Sequence, residues 1–100
     1  MGFRDARRDL VNALETGNYE HEEREVQAEK NLLAVGDVSP EDVRRALLRA
    51  TGRDYSASPH YEDQSVMVHV FQPVVENVHW YIKAYFIEEA DGKAVFISVH

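Results

Sequence analysis

The chain has 100 residues, no cysteine, 44% apolar and 29% charged side chains, and a formal net charge of -7. That length carries one modest core without metal or disulfide staples, and the lack of Cys excludes a disulfide framework, a thiolate metal site and a cysteine nucleophile. The acidic balance opposes long-range attraction to nucleic acid unless the basic residues gather on one surface, and it fits a binder of basic partners or simply a soluble protein.

MGFRDARRDL has no apolar signal-like stretch, and no apolar run approaches the roughly 18 residues of a membrane span. The expected setting is therefore the cytoplasm, with no membrane partner. With no repeats and no linker, one domain over residues 1–100 is expected.

FRDARRDLVNALETGN predicts an opening helix, because Phe3, Ala6, Leu10, Ala13 and Leu14 fall on one stripe and Gly17-Asn18 supplies a stop. A second helix is expected over roughly residues 22 to 34, ended near Gly36, with the YEHE segment before it unassigned. SPEDVRRALLRATG is the best-marked element. Ser39 caps, Pro40 takes the first helical position, Glu41 and Asp42 favour the positive end of the dipole, and Gly52 closes. Val43, Ala46, Leu47 and Ala50 turn inward, which leaves Arg45 and Arg49 together on the opposite flank, with Arg44 and Arg53 nearby.

GRDYSASPHYEDQ is rich in turn formers and reads as a loop. Three strands follow, SVMVHVFQ, HWYIKAYFIE and KAVFISVH, separated by PVVENV and EADG. Helices first and strands afterwards indicate an α+β domain, its N-terminal helices packed on one face of a C-terminal antiparallel sheet.

Strand parity sets which side chains share a face. A two-residue turn at Asp91-Gly92 pairs Phe86 with Ile97, Ala84 with Val99 and Lys83 with His100. The expected core sets are then Trp80, Ile82, Ala84 and Phe86; Val95, Ile97 and Val99; and Val66, Val68 and Val70. The opposite face is expected to be open and to display His69, His79, Tyr81, Lys83 and His100. A half-wet sheet carries polar residues outward with no function attached, but three histidines in five positions supply groups that titrate near neutral pH.

No Gly-rich phosphate loop is present. Glu20-His21-Glu22-Glu23 has metal-binding residue types at adjacent positions that do not converge on one ion, and the five histidines lack metal-finger spacing. No metal and no cofactor is expected.

From DYSASPHYEDQSVMVHVFQP through WYIKAYFI to AVFISVH, the chain resembles the MqsR-type toxins (the motility quorum-sensing regulator family). These are ribosome-independent mRNA interferases with a RelE-like ribonuclease fold. The resemblance covers roughly residues 50 to 100 and rests on Asp54-Tyr55, Tyr61-Glu62-Asp63, an apolar strand ending in Pro73, Tyr81-Ile82-Lys83 and a last strand ending in Ser98. It implies a toxin of a toxin–antitoxin pair, cutting mRNA without a metal, with RNA as substrate and a cognate antitoxin protein as partner. The family's catalytic tyrosine falls on Tyr81 and its late-strand lysine on His100. Its upstream lysine falls near Ser56, where Arg53 is the nearest cation, and its glutamine falls on Val68, beside His69. The site residues so implied are His100 as base or acid, with His69 or His60 as its counterpart, Lys83 and Arg53 for charge, Tyr81 for positioning or proton donation, and Arg45 and Arg49 along the RNA. The competing expectation is a non-catalytic member of the same fold, acting as an immunity, regulatory or other interaction protein, or as a homodimer.

Overall fold

The fold is α+β, as the order of elements implies. The computed structural model describes residues 1–22, 30–88 and 91–100. Helix α1 spans Phe3–Thr16 and α2 spans Pro40–Arg49. The strands are β1 (Tyr19–His21), β2 (Tyr55–Pro59), β3 (Met67–Phe71), β4 (Val74–Val75), β5 (Val78–His79), β6 (Ile82–Glu88) and β7 (Lys93–Val99). A five-stranded sheet runs in the order β1-β7-β6-β3-β2, and β4-β5 forms a separate two-stranded ribbon. No helix among the described residues is long and apolar enough to cross a membrane.

The helices form where their signals stand. Ala6, Leu10, Ala13 and Leu14 are the buried stripe of α1. Gly17 ends it in the left-handed region at φ 75, a conformation glycine adopts without a Cβ penalty. In α2 the Ser39 hydroxyl accepts from the Asp42 N–H while the Asp42 carboxylate accepts from the Ser39 N–H, a reciprocal capping box. The far end of α2 differs from expectation. Ala50 closes it in an extended conformation, and Gly52 instead begins a 3-10 turn, Gly52–Asp54. Arg7 holds this junction by donating to the Ala50 carbonyl at 2.9 Å, with its guanidinium lying over the Phe3 ring.

Most of the helix expected over residues 22 to 34 falls on residues 23–29, outside the described part of the chain. On one side of it, YEH is a strand that pairs in parallel with β7, Tyr19 opposite Ala94 and His21 opposite Phe96. The sheet is therefore mixed rather than antiparallel. On the other side, residues 32–36 run as turns. Asn31, only 3% exposed, ties them to the sheet by donating to the Phe96 carbonyl at 3.3 Å and to His21 Nδ1 at 3.2 Å.

The segment read as a loop contains β2, whose residues pair from Tyr55 opposite Phe71 to Pro59 opposite Met67. It is an edge strand of small polar residues, which lack the alternating apolar signal of a half-buried strand. PVVENV also holds a hairpin. Glu76 and Asn77 both have positive φ, 52 and 68, the signature of a two-residue primed turn between Val75 and Val78.

Both helices pack on one face of the main sheet, against Phe71, Ile82, Ala84, Phe86, Ala94, Phe96 and Val99. The expected parity is corrected on two strands. In β3, Phe71 and His69 face the helices, opposite Ile82 and Ala84, and the valines turn away. In β7, Ala94 and Phe96 face the helices, opposite Phe86 and Ala84, whereas Val95 faces outward opposite Tyr85. Two irregularities cause the shift. Ile87 is an extra residue of β6 between the pairs Glu88–Lys93 and Phe86–Ala94, and Ile97 is an extra residue of β7 between the pairs Ala84–Phe96 and Lys83–Ser98. The outer face is not open either, since Val68, Val70, Val95, Ile97 and Ser98 are all buried.

Candidate functional site

Beyond the last β6–β7 pair, the chain continues as a two-way hydrogen-bonded contact. The Tyr81 N–H donates to the His100 carbonyl at 2.7 Å and the His100 N–H donates back to Tyr81 at 3.0 Å. Because Ile82 and Val99 beside them face the core, Tyr81 and His100 both point outward. Their rings stack with centroids 5.2 Å apart and planes 14° from parallel. Tyr81 is half-buried and His100 exposed.

Lys83 lies one pleat further along β6 on the same face, opposite Ser98. The expected Lys83–His100 pair is therefore replaced by Tyr81–His100, but the three side chains still share a face. Lys83 is half-buried and helps line a recess of about 150 Å³ with Ser58, His60, Tyr61, Val68 and Ile97.

His60 is buried at the far end of this recess, and its surroundings fix it. The Glu62 N–H donates to Nδ1 at 3.1 Å, which leaves the ring proton on Nε2, facing Glu22 Oε1 at 3.4 Å. The ring also meets Tyr85 edge-on at 5.2 Å and stacks on Tyr61 at 5.1 Å. The loop below is held by Asp63, which accepts from the Ser65 hydroxyl and N–H; these two bonds keep the Asp63 carboxyl below the usual carboxylate range. Both His60 nitrogens are thus engaged.

His69 is in the wrong place for the role implied for it. At 2% exposure it lies on the helix side of the sheet, hydrogen-bonded through Nδ1 to the Tyr55 hydroxyl at 2.8 Å and flanked by the Tyr55 and Phe86 rings. Burial pushes the Tyr55 phenol above its ordinary pKa, so that hydroxyl stays protonated. His79 is exposed in the β4–β5 ribbon and is likewise not part of the Tyr81 face.

The arginines occupy two places. Arg53 is exposed on the 3-10 turn, anchored where the Gln72 N–H donates to the Asp54 carbonyl. This puts it at the same end of the sheet as Tyr81 but two strands away from β6, roughly 10 Å by strand spacing. Arg45 and Arg49 line a groove of about 480 Å³ between α2 and the β4–β5 ribbon, with Trp80, Val78 and Glu76. Arg45 is occupied there by Glu41, at 3.3 Å.

Among the described residues no three His, Cys, Asp or Glu side chains gather as a metal site. His21, from the metal-like run, instead accepts from Asn31, and desolvation lowers its pKa. Asn31 is the buried polar residue that sequence reading missed. It fell in the stretch expected to be helical, where a single Asn among charged and apolar residues carries no signal of burial.

No protein-family model matches this sequence, and no characterised protein matches it.

Proposed function

We propose that this chain is a metal-independent endoribonuclease of the MqsR toxin type, acting on mRNA in the cytoplasm and held in check by a cognate antitoxin. The observation that carries this reading is the shared face of Tyr81, His100 and Lys83: an imidazole stacked on a phenol, with an ammonium one pleat away.

The chemistry requires a base, an acid and a cation around one phosphate. His100 takes the proton from the ribose 2′-OH, and O2′ forms a bond to the adjacent phosphorus. The bond from phosphorus to the 5′-oxygen breaks, and the Tyr81 hydroxyl gives that oxygen a proton. The products are a 2′,3′-cyclic phosphate and a free 5′-hydroxyl. Lys83 offsets the negative charge that builds on the non-bridging oxygens. Arg53, at the same end of the sheet, meets a neighbouring phosphate. His60 and His69 act as positioning and packing residues in this scheme, not as proton carriers.

The test is induced expression with growth and transcript integrity followed, together with cleavage of single-stranded RNA by the purified chain in a chelator. His100→Ala and Tyr81→Phe are each expected to lower cleavage by about 10²-fold or more. Cleavage indifferent to both substitutions, or no cleavage and no growth defect from the native chain, refutes the reading. The net charge of -7 favours one competitor, a non-catalytic interaction protein of the same fold. For that protein, expression leaves RNA intact and a basic partner co-purifies.

A further inference from the structure

The groove between α2 and the β4–β5 ribbon is separate from the Tyr81 face, although the chain joins them directly: Trp80 lines the groove and Tyr81 carries the phenol. Along an extended segment neighbouring side chains point to opposite sides, so the two sites meet back to back at the end of β6. The groove holds about 480 Å³, within the range of small-ligand sites. Its apolar wall is the half-buried Trp80 with Val75 and Val78, the last of these 54% exposed.

Its polar groups are of both signs and stand on opposite walls. Arg49 comes from α2 and Glu76 from the turn of the ribbon. Asp42 is committed to the helix cap and Arg45 to Glu41. Among the described residues, neither Arg49 nor Glu76 forms a side-chain hydrogen bond or ion pair, so one donor group and one acceptor group are available.

We infer that this groove binds an unpaired purine base. A flat aromatic wall suits a π-face. The Arg49 guanidinium suits the N7 acceptor that both purines carry and pyrimidines lack. The Glu76 carboxylate accepts from the ring or exocyclic N–H groups on the purine's other edge. A phosphate alone fits poorly, because Glu76 and Asp42 oppose it. The inference rests on the RNA reading for the source of the base. It adds to that reading a subsite that orients the strand, with a purine held on the helix side and the adjoining phosphate carried round to Tyr81, His100 and Lys83.

Trp80 is the single tryptophan of the chain, so its emission reports on the groove without a label. The intact protein is titrated with GMP, AMP, UMP and ribose 5-phosphate. Saturable quenching by both purine nucleotides is expected, with much weaker response to UMP and none to ribose 5-phosphate. Arg49→Ala and Glu76→Ala are each expected to weaken purine binding about tenfold. An equal response to ribose 5-phosphate, indifference to both substitutions, or quenching only by an acidic apolar peptide overturns the inference. Because the titration involves no cleavage, the two readings fail separately. A chain that binds purines and cuts nothing loses only the ribonuclease reading, and one that cuts RNA without binding purines loses only the subsite.

Discussion

Tyr55→Phe isolates the contact that assigns His69 to the core. The hydroxyl it removes is bonded at 2.8 Å to a ring nitrogen of a residue 2% exposed, so water does not readily replace it. Losing a partner of a buried polar atom costs about 1–3 kcal/mol. For a 100-residue chain whose whole stability is of order 5–15 kcal/mol, that is a large share. It corresponds to a fall in melting temperature of about 4–8 °C per kcal/mol. Urea unfolding monitored through Trp80 measures it. The same change made in a His69→Leu background is expected to cost less by about 1 kcal/mol, because the buried nitrogen has gone. Equal costs in the two backgrounds refute the pairing. A His69→Leu chain that keeps native stability but loses RNA cleavage refutes the assignment itself and returns His69 to the reaction.

Ser39→Ala removes both the acceptor of the capping box and the support of α2, and is expected to cost about 1 kcal/mol in urea unfolding. The Ser39 backbone N–H, and after it the Ser39 side chain, hold the Asp42 carboxyl below its ordinary pKa, so its contribution is present above the unfolded value and is lost as pH falls through the lower folded one; Ser39→Ala keeps the N–H and is expected to retain most of that loss, whereas acid titration of Asp42→Asn is expected to lack it. His21 has its pKa lowered by burial, so the unfolded chain binds the extra proton and stability declines as pH falls below about 6.5. His21→Phe is expected to flatten that slope, and a slope unchanged by the substitution contradicts the assignment. Tyr55, with its pKa raised by burial, adds a loss of stability above about pH 10, absent in Tyr55→Phe. Gly17→Ala forces a Cβ into the left-handed region at φ 75 and is expected to destabilise by about 1 kcal/mol.

Local signals marked both helices, because caps and a 3.6-residue stripe are written in adjacent residues. Ser39, Pro40 and Asp42 need no knowledge of the rest of the chain to start α2. The strands depend on partners distant in sequence. Ser56, Ala57 and Ser58 form a strand only because β3 lies beside them, and YEH does so only because β7 receives it in parallel. His69 was misplaced for a related reason. Three valines in alternation are the stronger apolar signal, yet Phe71 is the larger group, and its place beside Phe3 and Ile82 takes His69 inward with it. Val68 and Val70 are buried too, on the other face, which a two-layer reading with one wet side has no room for. The Tyr81, Lys83 and His100 face was legible because all three lie close to the ends of their strands, beyond the irregularities.

Ile97 shows how parity and site are linked. Phe96 and Val99 both face the helices although they are three residues apart, which a regular strand forbids; the extra residue between them makes it possible. Deleting Ile97 gives Ala94, Phe96 and Val99 strict alternation and leaves Ala84–Phe96, Lys83–Ser98 and Tyr81–His100 opposite one another. The loss is then the burial of one isoleucine, 6% exposed, about 1.5–3 kcal/mol, and the proposed RNA cleavage is expected to be retained. If instead the deletion variant folds with that modest loss but no longer cuts, facing alone is not enough. The local twist that the bulge adds must then bring the His100 imidazole and the Lys83 ammonium to the phosphate together.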